Sequence, residues 1–281
     1  MLSEAKHLER VERDPSWHAR CQSKMEPIDW AANALLSEIE FSKALKSQPT
    51  TYPNFIHLYN PHVPWGGDYN RAVGVNLTGL ELFDEVNAQL AEIHRQKGLE
   101  RPDRFDIAPP ALDENIWQGF VNAEGYNLRT AIFFQAPTQP VELSTGFSLY
   151  QPSTEEYLAW YLKLADEQGY AASDWFQPSL PLRQNFIKVY QPHWLMRYGE
   201  QVGWVYTAHL GDFSRLFEVE IKPQFQHQGM GRLLMQAVIA EGHRQGTRHI
   251  LLQTSERLRP FYESCGFREC TRNSIIRLKQ A

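Results

Sequence analysis

The sequence predicts an α/β fold of two halves, each a mixed, mainly antiparallel sheet flanked by helices. Three observations carry this. A length of 281 residues suits two modest domains at roughly 100–200 residues each. Short apolar runs of strand length alternate with longer segments of helical periodicity. The order β-α-β-α-β occurs twice, once on either side of a Pro-containing stretch near the middle, so the boundary is expected between 140 and 141: 1–140 with a helical N-terminal extension, then 141–281.

Composition narrows the class. With 42% hydrophobic and 22% charged residues the chain can bury large cores and does not read as disordered. The formal charge of −5 argues against a surface built to cover phosphate backbone, so nucleic acid is not an expected partner. Cys21, Cys265 and Cys270 are too few and too poorly spaced for a disulfide framework or a structural zinc site. No apolar run approaches the ~18 residues of a membrane span, and the opening MLSEAKHLERVERD is charged where a signal peptide needs an apolar core. The expectation is a cytoplasmic protein away from the membrane, with a homodimer left open.

Along the first half, Ile28, Trp30, Ala31, Leu35, Ile39 and Phe41 give the first fifty residues a helical pattern. A Pro- and Gly-rich stretch follows, then a strand at Ala72–Val75. Thr78 to Glu81 has capping-box spacing, and Phe83, Val86, Leu90 and Ile93 continue it as a helix that Gly98 stops. Phe105–Ala108 reads as a strand, Asp113–Ala123 as a helix closed by Gly125, Thr130–Phe134 as a buried strand and Ala136–Val141 as the linker.

In the second half Ser153 to Glu156 is another capping box, leading Tyr157, Trp160, Tyr161 and Leu164 along one helical face, with a further helix near Trp175–Lys188. Trp194–Tyr198, Val202–Ala208 and Leu216–Ile221 read as an antiparallel meander, turning at Gly199–Gln201 and Gly211–Asp212. Leu234, Ala237, Val238 and Glu241 mark a helix ending at Gly246. His249–Leu252 is a strand, Glu256–Ser264 a helix and Ile275–Leu278 a strand. Gly125-Tyr126 and Gly266-Phe267 stand 141 residues apart, which makes the chain read as an internal repeat. At that offset Phe261 falls on Phe120, but Tyr262 falls on Val121, and no register returns a glycine pair to match Gly229 and Gly231.

The informative stretch is Gln226-His227-Gln228-Gly229-Met230-Gly231-Arg232, between a strand and an amphipathic helix. Residues without a Cβ let successive N–H groups turn toward one point, and a helix N-terminus adds its dipole, so a diphosphate is the ligand this arrangement would hold. The segment resembles motif A of the GNAT superfamily of acyl-CoA N-acyltransferases: Arg or Gln, two residues, Gly, one residue, then Gly or Ala. Val219-Glu220-Ile221-Lys222-Pro223 resembles the strand end before that loop, and Phe261-Tyr262-Glu263-Ser264-Cys265-Gly266-Phe267 the family's second signature.

The resemblance implies two GNAT-like domains, the first a degenerate copy. It implies that Gln226, His227, Gln228, Gly229, Met230, Gly231 and Arg232 wrap the pyrophosphate of acetyl-CoA, while Val219 and Ile221 offer backbone groups to its pantetheine and acyl carbonyl. Tyr262 would be the general acid at the departing thiolate. Ser255 stands where many members carry Asn, as a shorter-reaching donor to the coenzyme. Chemistry supports a phenol there: an amine attacking a thioester forms an oxyanion and then expels sulfur, so donors at both atoms lower the barrier.

The attacking amine must be neutral, which calls for a base, and strand alternation puts Phe217, Val219 and Ile221 on one face and Leu216, Glu218 and Glu220 on the other. The resemblance makes Glu218 the first candidate, since acidic residues at the family-equivalent position often face the acceptor site, against a reading of both carboxylates as a solvated strand face. Trp194, Trp204, Tyr206 and His209 are candidates to line an acceptor pocket, or ordinary cross-strand pairs. His209 and His227 lack partners at metal-ligand spacing, so no metal is assigned. Cys265 reads as a small buried thiol, not an acyl carrier. The expected activity is acetyl transfer from acetyl-CoA to a primary amine by direct attack; the alternatives are a non-catalytic CoA-binding regulatory module and a longer-chain acyl or aminoacyl transferase.

Overall fold

A computed structural model describes residues 28–63, 69–77, 79–99, 102, 104–109, 111–173 and 176–279. Cys21, Thr78, Trp175 and part of the Pro- and Gly-rich stretch lie outside the described residues. The chain divides into two compact units, Met1–Trp30 and Ala31–Ala281, and the architecture that follows is that of the second.

After α1 (Trp30–Ala44), β1 (Gln48–Thr51) and β2 (Ile56–Tyr59) form a hairpin where helix and then loop are expected. Each is four residues long and β1 is exposed throughout, so neither carries a readable alternation, and Pro49 is tolerated because β1 is the sheet edge. β3 (Arg71–Val75), α2 (Leu80–Gln96), β4 (Arg104–Ile107), α3 (Glu114–Ala123) and β5 (Tyr126–Pro137) complete the first half. The N-cap of α2 is Gly79, and it makes no side-chain capping bond; Asp113 caps α3 by accepting from the Asn115 N–H.

The second half opens with β6 (Phe147–Tyr150), a strand the sequence reading passes over. α4 (Thr154–Glu167) starts at Ser153 with both bonds of the capping box formed, as expected. α5 (Phe176–Val189) follows, then β7 (Gln191–Arg197), β8 (Glu200–Leu210) and β9 (Phe213–Ile221), the antiparallel meander the sequence predicts. Tyr198 and Gly199, both at positive φ, make the two-residue β7–β8 turn. α6 (Met230–Arg244), β10 (His249–Thr254), α7 (Arg259–Ser264) and β11 (Arg268–Leu278) end the series. The helix expected over Glu256–Ser264 is a 3-10 turn up to Leu258 and an α-helix only from Arg259, because Pro260 lacks the N–H a continuous helix needs there.

All eleven strands join in one sheet, ordered β1-β2-β3-β4-β11-β5-β10-β9-β8-β7-β6. Only β3/β4 and β9/β10 are parallel, so the sheet is mixed and mainly antiparallel, with helices on its faces. The irregular stretch 138–146, where the expected boundary falls, links β5 to β6. The halves are nevertheless interleaved: β11 lies between β4 and β5, and β5 lies between β11 and β10. Each exchanged strand fills its new neighbour's core. Ile132, Phe134 and Ala136 of β5 pack with Leu234 and Val238 of α6, and Ile276 of β11 packs with Phe83 and Leu90 of α2.

The two parallel pairs share a further detail. β3 shifts register between Val73 and Val75 with Gly74 at φ 62°, and β9 shifts near Glu218, at φ 48°. Arg215 and Glu218 follow Arg71 and Gly74 by the same 144 residues, and the guanidiniums of Arg71 and Arg215 grip the two oxygens of one buried carboxylate, Glu38 of α1, at 2.8 and 3.1 Å.

Candidate active site

The site begins where β9 and β10 part. They pair only from Phe213/His249 to Arg215/Leu251, while β9 stays bonded to β8 as far as Ile221 and β10 to β5 as far as Thr254. The cause is a bulge: Trp204 faces Glu220 and Tyr206 faces Phe217, so Glu218 and Val219 together oppose Val205. A bulge bends its strand and re-aims its side chains, and Glu218 takes the left-handed backbone conformation that it requires. From Leu216 to Ile221, no strand among the described residues pairs with the β10-facing edge of β9.

The bulge also corrects the expected alternation. Leu216, Val219 and Ile221 belong to the core under α6, whereas Phe217 packs with the α4/α5 side, among Phe41, Phe186 and Tyr206. Strict two-residue alternation assigns Leu216 and Phe217 the other way round, because it cannot see one extra residue in the ladder. Glu218 lines the cavities on the α5 side, and Glu220 lines one of them.

On the α6 side, a cleft of about 1150 Å³ is lined by Val219, Ile221, the loop residues and four residues of the α7 region, Leu258, Phe261, Tyr262 and Ser264. The loop is held by its own geometry. The Gln226 side chain donates to the Ile221 carbonyl at 2.9 Å, tying the loop to the strand end, and Gln228 donates to the Gln224 carbonyl at 2.8 Å. His227 (φ 61°) and Gly229 (φ 79°) both sit in the left-handed region, which turns the chain into the N-terminus of α6. Gly229 is the N-cap and no side chain caps the helix, so its first-turn N–H groups face the cleft without that partner. Gly231 is needed for another reason: a Cβ there would meet the Phe261 ring at 3.1 Å.

Tyr262 reaches the same cleft from α7. Its ring packs beside Phe134, Phe261 and Phe267, and its hydroxyl makes no hydrogen bond with the described residues. Burial, then Cys265 beside it, pushes the phenol up to about 12, so it is a protonated donor at neutral pH. Burial raises Cys265 as well, which leaves it a poor nucleophile, and pushes Cys270 up to about 12 while its Sγ–H donates to the Phe133 carbonyl.

Of the residues singled out in the sequence, Val219, Ile221, Gln226, His227, Gly229, Met230, Gly231, Arg232 and Tyr262 line this one cleft. Gln228 and Ser255 do not line it, and Glu218 stands on the far side of the sheet. There an open groove of about 1520 Å³ runs over Trp160, Trp204, Tyr206, Glu218 and Glu220. Burial and the neighbouring Glu218 raise the Glu220 carboxyl above its ordinary range. Trp194 is one ring removed, 5.7 Å from Trp160, and His209 is exposed elsewhere. Among the described residues no group of three His, Cys, Asp or Glu side chains could hold a metal ion, and no helix is long and apolar enough to cross a membrane.

Sequence reasoning gives no cleft role to Leu258, or to Phe261 and Ser264 within the second signature, and passes over Arg183 and Arg215 behind Glu218. Arg215 had a signal: it is a lone charge in the apolar run Phe213-Ser214-Arg215-Leu216-Phe217, as Arg71 is before Ala72-Val73. Arg183 gave none, since a helical arginine is ordinarily solvated.

A parted parallel strand pair, a helix N-terminus without a side-chain cap and a phenol meet at this cleft. Residues 166–277 match the family model of the acetyltransferase (GNAT) domain. Among solved structures, a GCN5-related N-acetyltransferase from Kribbella flavida superposes with a TM-score of 0.60 at 12% identity, over 89% of this chain and 96% of that one. A functionally unknown conserved protein from Staphylococcus epidermidis gives 0.60 at 13%, over 84% and 96%. At such identities the likeness is one of fold. No curated protein matches the sequence significantly.

Proposed function

We propose that the protein transfers an acetyl group from acetyl-CoA to a primary amine by direct attack, with chemistry confined to the second half. The observation that carries this is the meeting, in one cleft, of the uncapped α6 N-terminus, the open edge of β9 and the free hydroxyl of Tyr262. The loop N–H groups and Arg232 would hold the pyrophosphate, with the pantetheine lying along Val219–Ile221 and directing the thioester through the gap between β9 and β10. On the other face the amine approaches Glu218, with Glu220 beside it to relay its proton, and the oxyanion forms against the unpaired β9 edge. Tyr262 hydrogen-bonds the departing sulfur. The first half repeats the parallel strand pair, but Val121 stands where the phenol would be and no glycine pair opens α2, so it serves as a packing partner and a wall of the acceptor side.

Calorimetric titration with acetyl-CoA and longer acyl-CoAs, followed by an amine screen for released thiol, tests the reading. Micromolar acetyl-CoA binding and acceptor-dependent thiol release are expected. Absence of acetyl-CoA binding overturns it, and binding without thiol release with any amine assigns a sensor instead.

A further inference from the structure

Behind Glu218 lies a chamber between α1, α5 and the sheet. Four arginines line it: Arg71, Arg104, Arg183 and Arg215. The carboxylates that line it are Glu38 and Glu218, and Asp106, 3.1 Å from Arg71 and 2.7 Å from Arg104, balances a third guanidinium.

One of the four guanidiniums has unused capacity. Arg215 spends Nη2 on Glu38 at 3.1 Å and Gln253 at 3.4 Å, and its Nη1 is buried out of reach of the chamber. Arg183 donates from Nη2 to the Tyr161 hydroxyl at 3.3 Å and lies over that ring, while its nearest carboxylate oxygen, on Glu218, is 3.8 Å away, beyond hydrogen-bond reach. A network that only tied α1 to the sheet would account for Arg71 and Arg215, but not for Arg183. Buried guanidiniums with free donors are costly unless an anion meets them, and their planar fork suits a carboxylate.

We infer that the acceptor is an amine that also bears a carboxylate, of the amino acid class, and that this arginine chamber receives the carboxylate. The inference rests on the acyl-transfer reading for its amine end. Glu218 and Arg183 line both the chamber and the open groove, so one small molecule can present its amine at Glu218 and its acid to Arg183. The rings of Phe41, Phe186 and Phe217 on the chamber wall suit an apolar body between the two.

Phenylacetate and its neutral isostere phenylacetamide, titrated into the full chain by calorimetry without coenzyme, test this directly. Phenylacetate is expected to bind at least tenfold more tightly than phenylacetamide, and the preference to weaken as salt rises. Arg183→Gln should abolish the preference and Arg183→Lys should restore part of it. Equal binding of the two probes, no binding of either, or tighter binding of phenyl phosphate than of phenylacetate overturns the inference. Acetyl-CoA titrated in parallel reports the coenzyme cleft alone, so a charge-selective chamber in a protein that ignores acetyl-CoA would sink the acyl-transfer reading and leave the carboxylate site standing.

Discussion

Replacing Tyr262 with Phe removes one oxygen and little else. The ring keeps its contacts with Phe134, Phe261 and Phe267, and the lost hydroxyl has no protein partner, so stability should change by less than ~0.5 kcal/mol. The catalytic cost follows from proton affinities. A thiol leaves with a pKa of ~8.5, whereas the phenol is held at about 12 by burial, so complete transfer is uphill by ~3–4 pK units, about 5 kcal/mol. On the proposed reading Tyr262 therefore acts by hydrogen-bonding sulfur as its charge builds, which places the loss at the low end of the range for such donors, roughly 100-fold in kcat or ~2.7 kcal/mol. Steady-state thiol release with the best amine of the screen, alongside acetyl-CoA calorimetry, measures both parts. The ratio of wild type to Y262F should stay level from pH 6 to 10, since the phenol keeps its proton throughout, and narrow only as pH climbs toward 12. A kcat within threefold of wild type at every pH, or a loss confined to acetyl-CoA affinity, would refute the assignment.

Gly229→Ala forces a Cβ into φ 79°, with an expected cost of ~1–2 kcal/mol in urea unfolding and about tenfold in acetyl-CoA affinity as the α6 N–H groups are re-aimed. Glu38→Gln removes the buried carboxylate that Arg71 and Arg215 share, and the urea midpoint should fall by the equivalent of ~3–5 kcal/mol, far beyond a surface change. Burial, aided by His94 and Lys97, lowers His57 to about 4, and burial lowers His193 likewise, so both stay neutral in the fold while the unfolded chain takes up protons below pH ~6.5. Their contribution is full above that pH and is lost as pH falls toward 4, at ~1.4 kcal/mol per unit for each; His57→Phe should flatten the slope by one histidine's share in urea titrations.

The cleft beside α6 was legible as a shape because its parts are consecutive: a strand end, a left-handed loop and a helix start lie within Val219–Arg232, and the signature at Phe261–Phe267 is equally local. The meander and the α4 capping box were legible for the same reason. What was hidden depends on residues distant in sequence. The bulge at Glu218 is a relation between β9 and β8, and without it Leu216 and Phe217 fall on the wrong faces. The arginine chamber draws on α1, β3, β4, α5, β9 and β10, and no spacing announces that Glu38 will sit between Arg71 and Arg215. β1, β2 and β6, four residues each, are too short to show a period.

The exchange of β5 and β11 also constrains how the molecule comes into being. β11 leaves the ribosome after every other described strand, yet its slot is the interior one between β4 and β5. Until then both of those strands present raw hydrogen-bonding edges and the α2 core lacks Ile276, a state open to wrong pairing and dependent on slow, distant contacts. Expressing residues 1–140 alone would freeze that half-built intermediate, and a nascent chain stalled before residue 268 should be a client for chaperones.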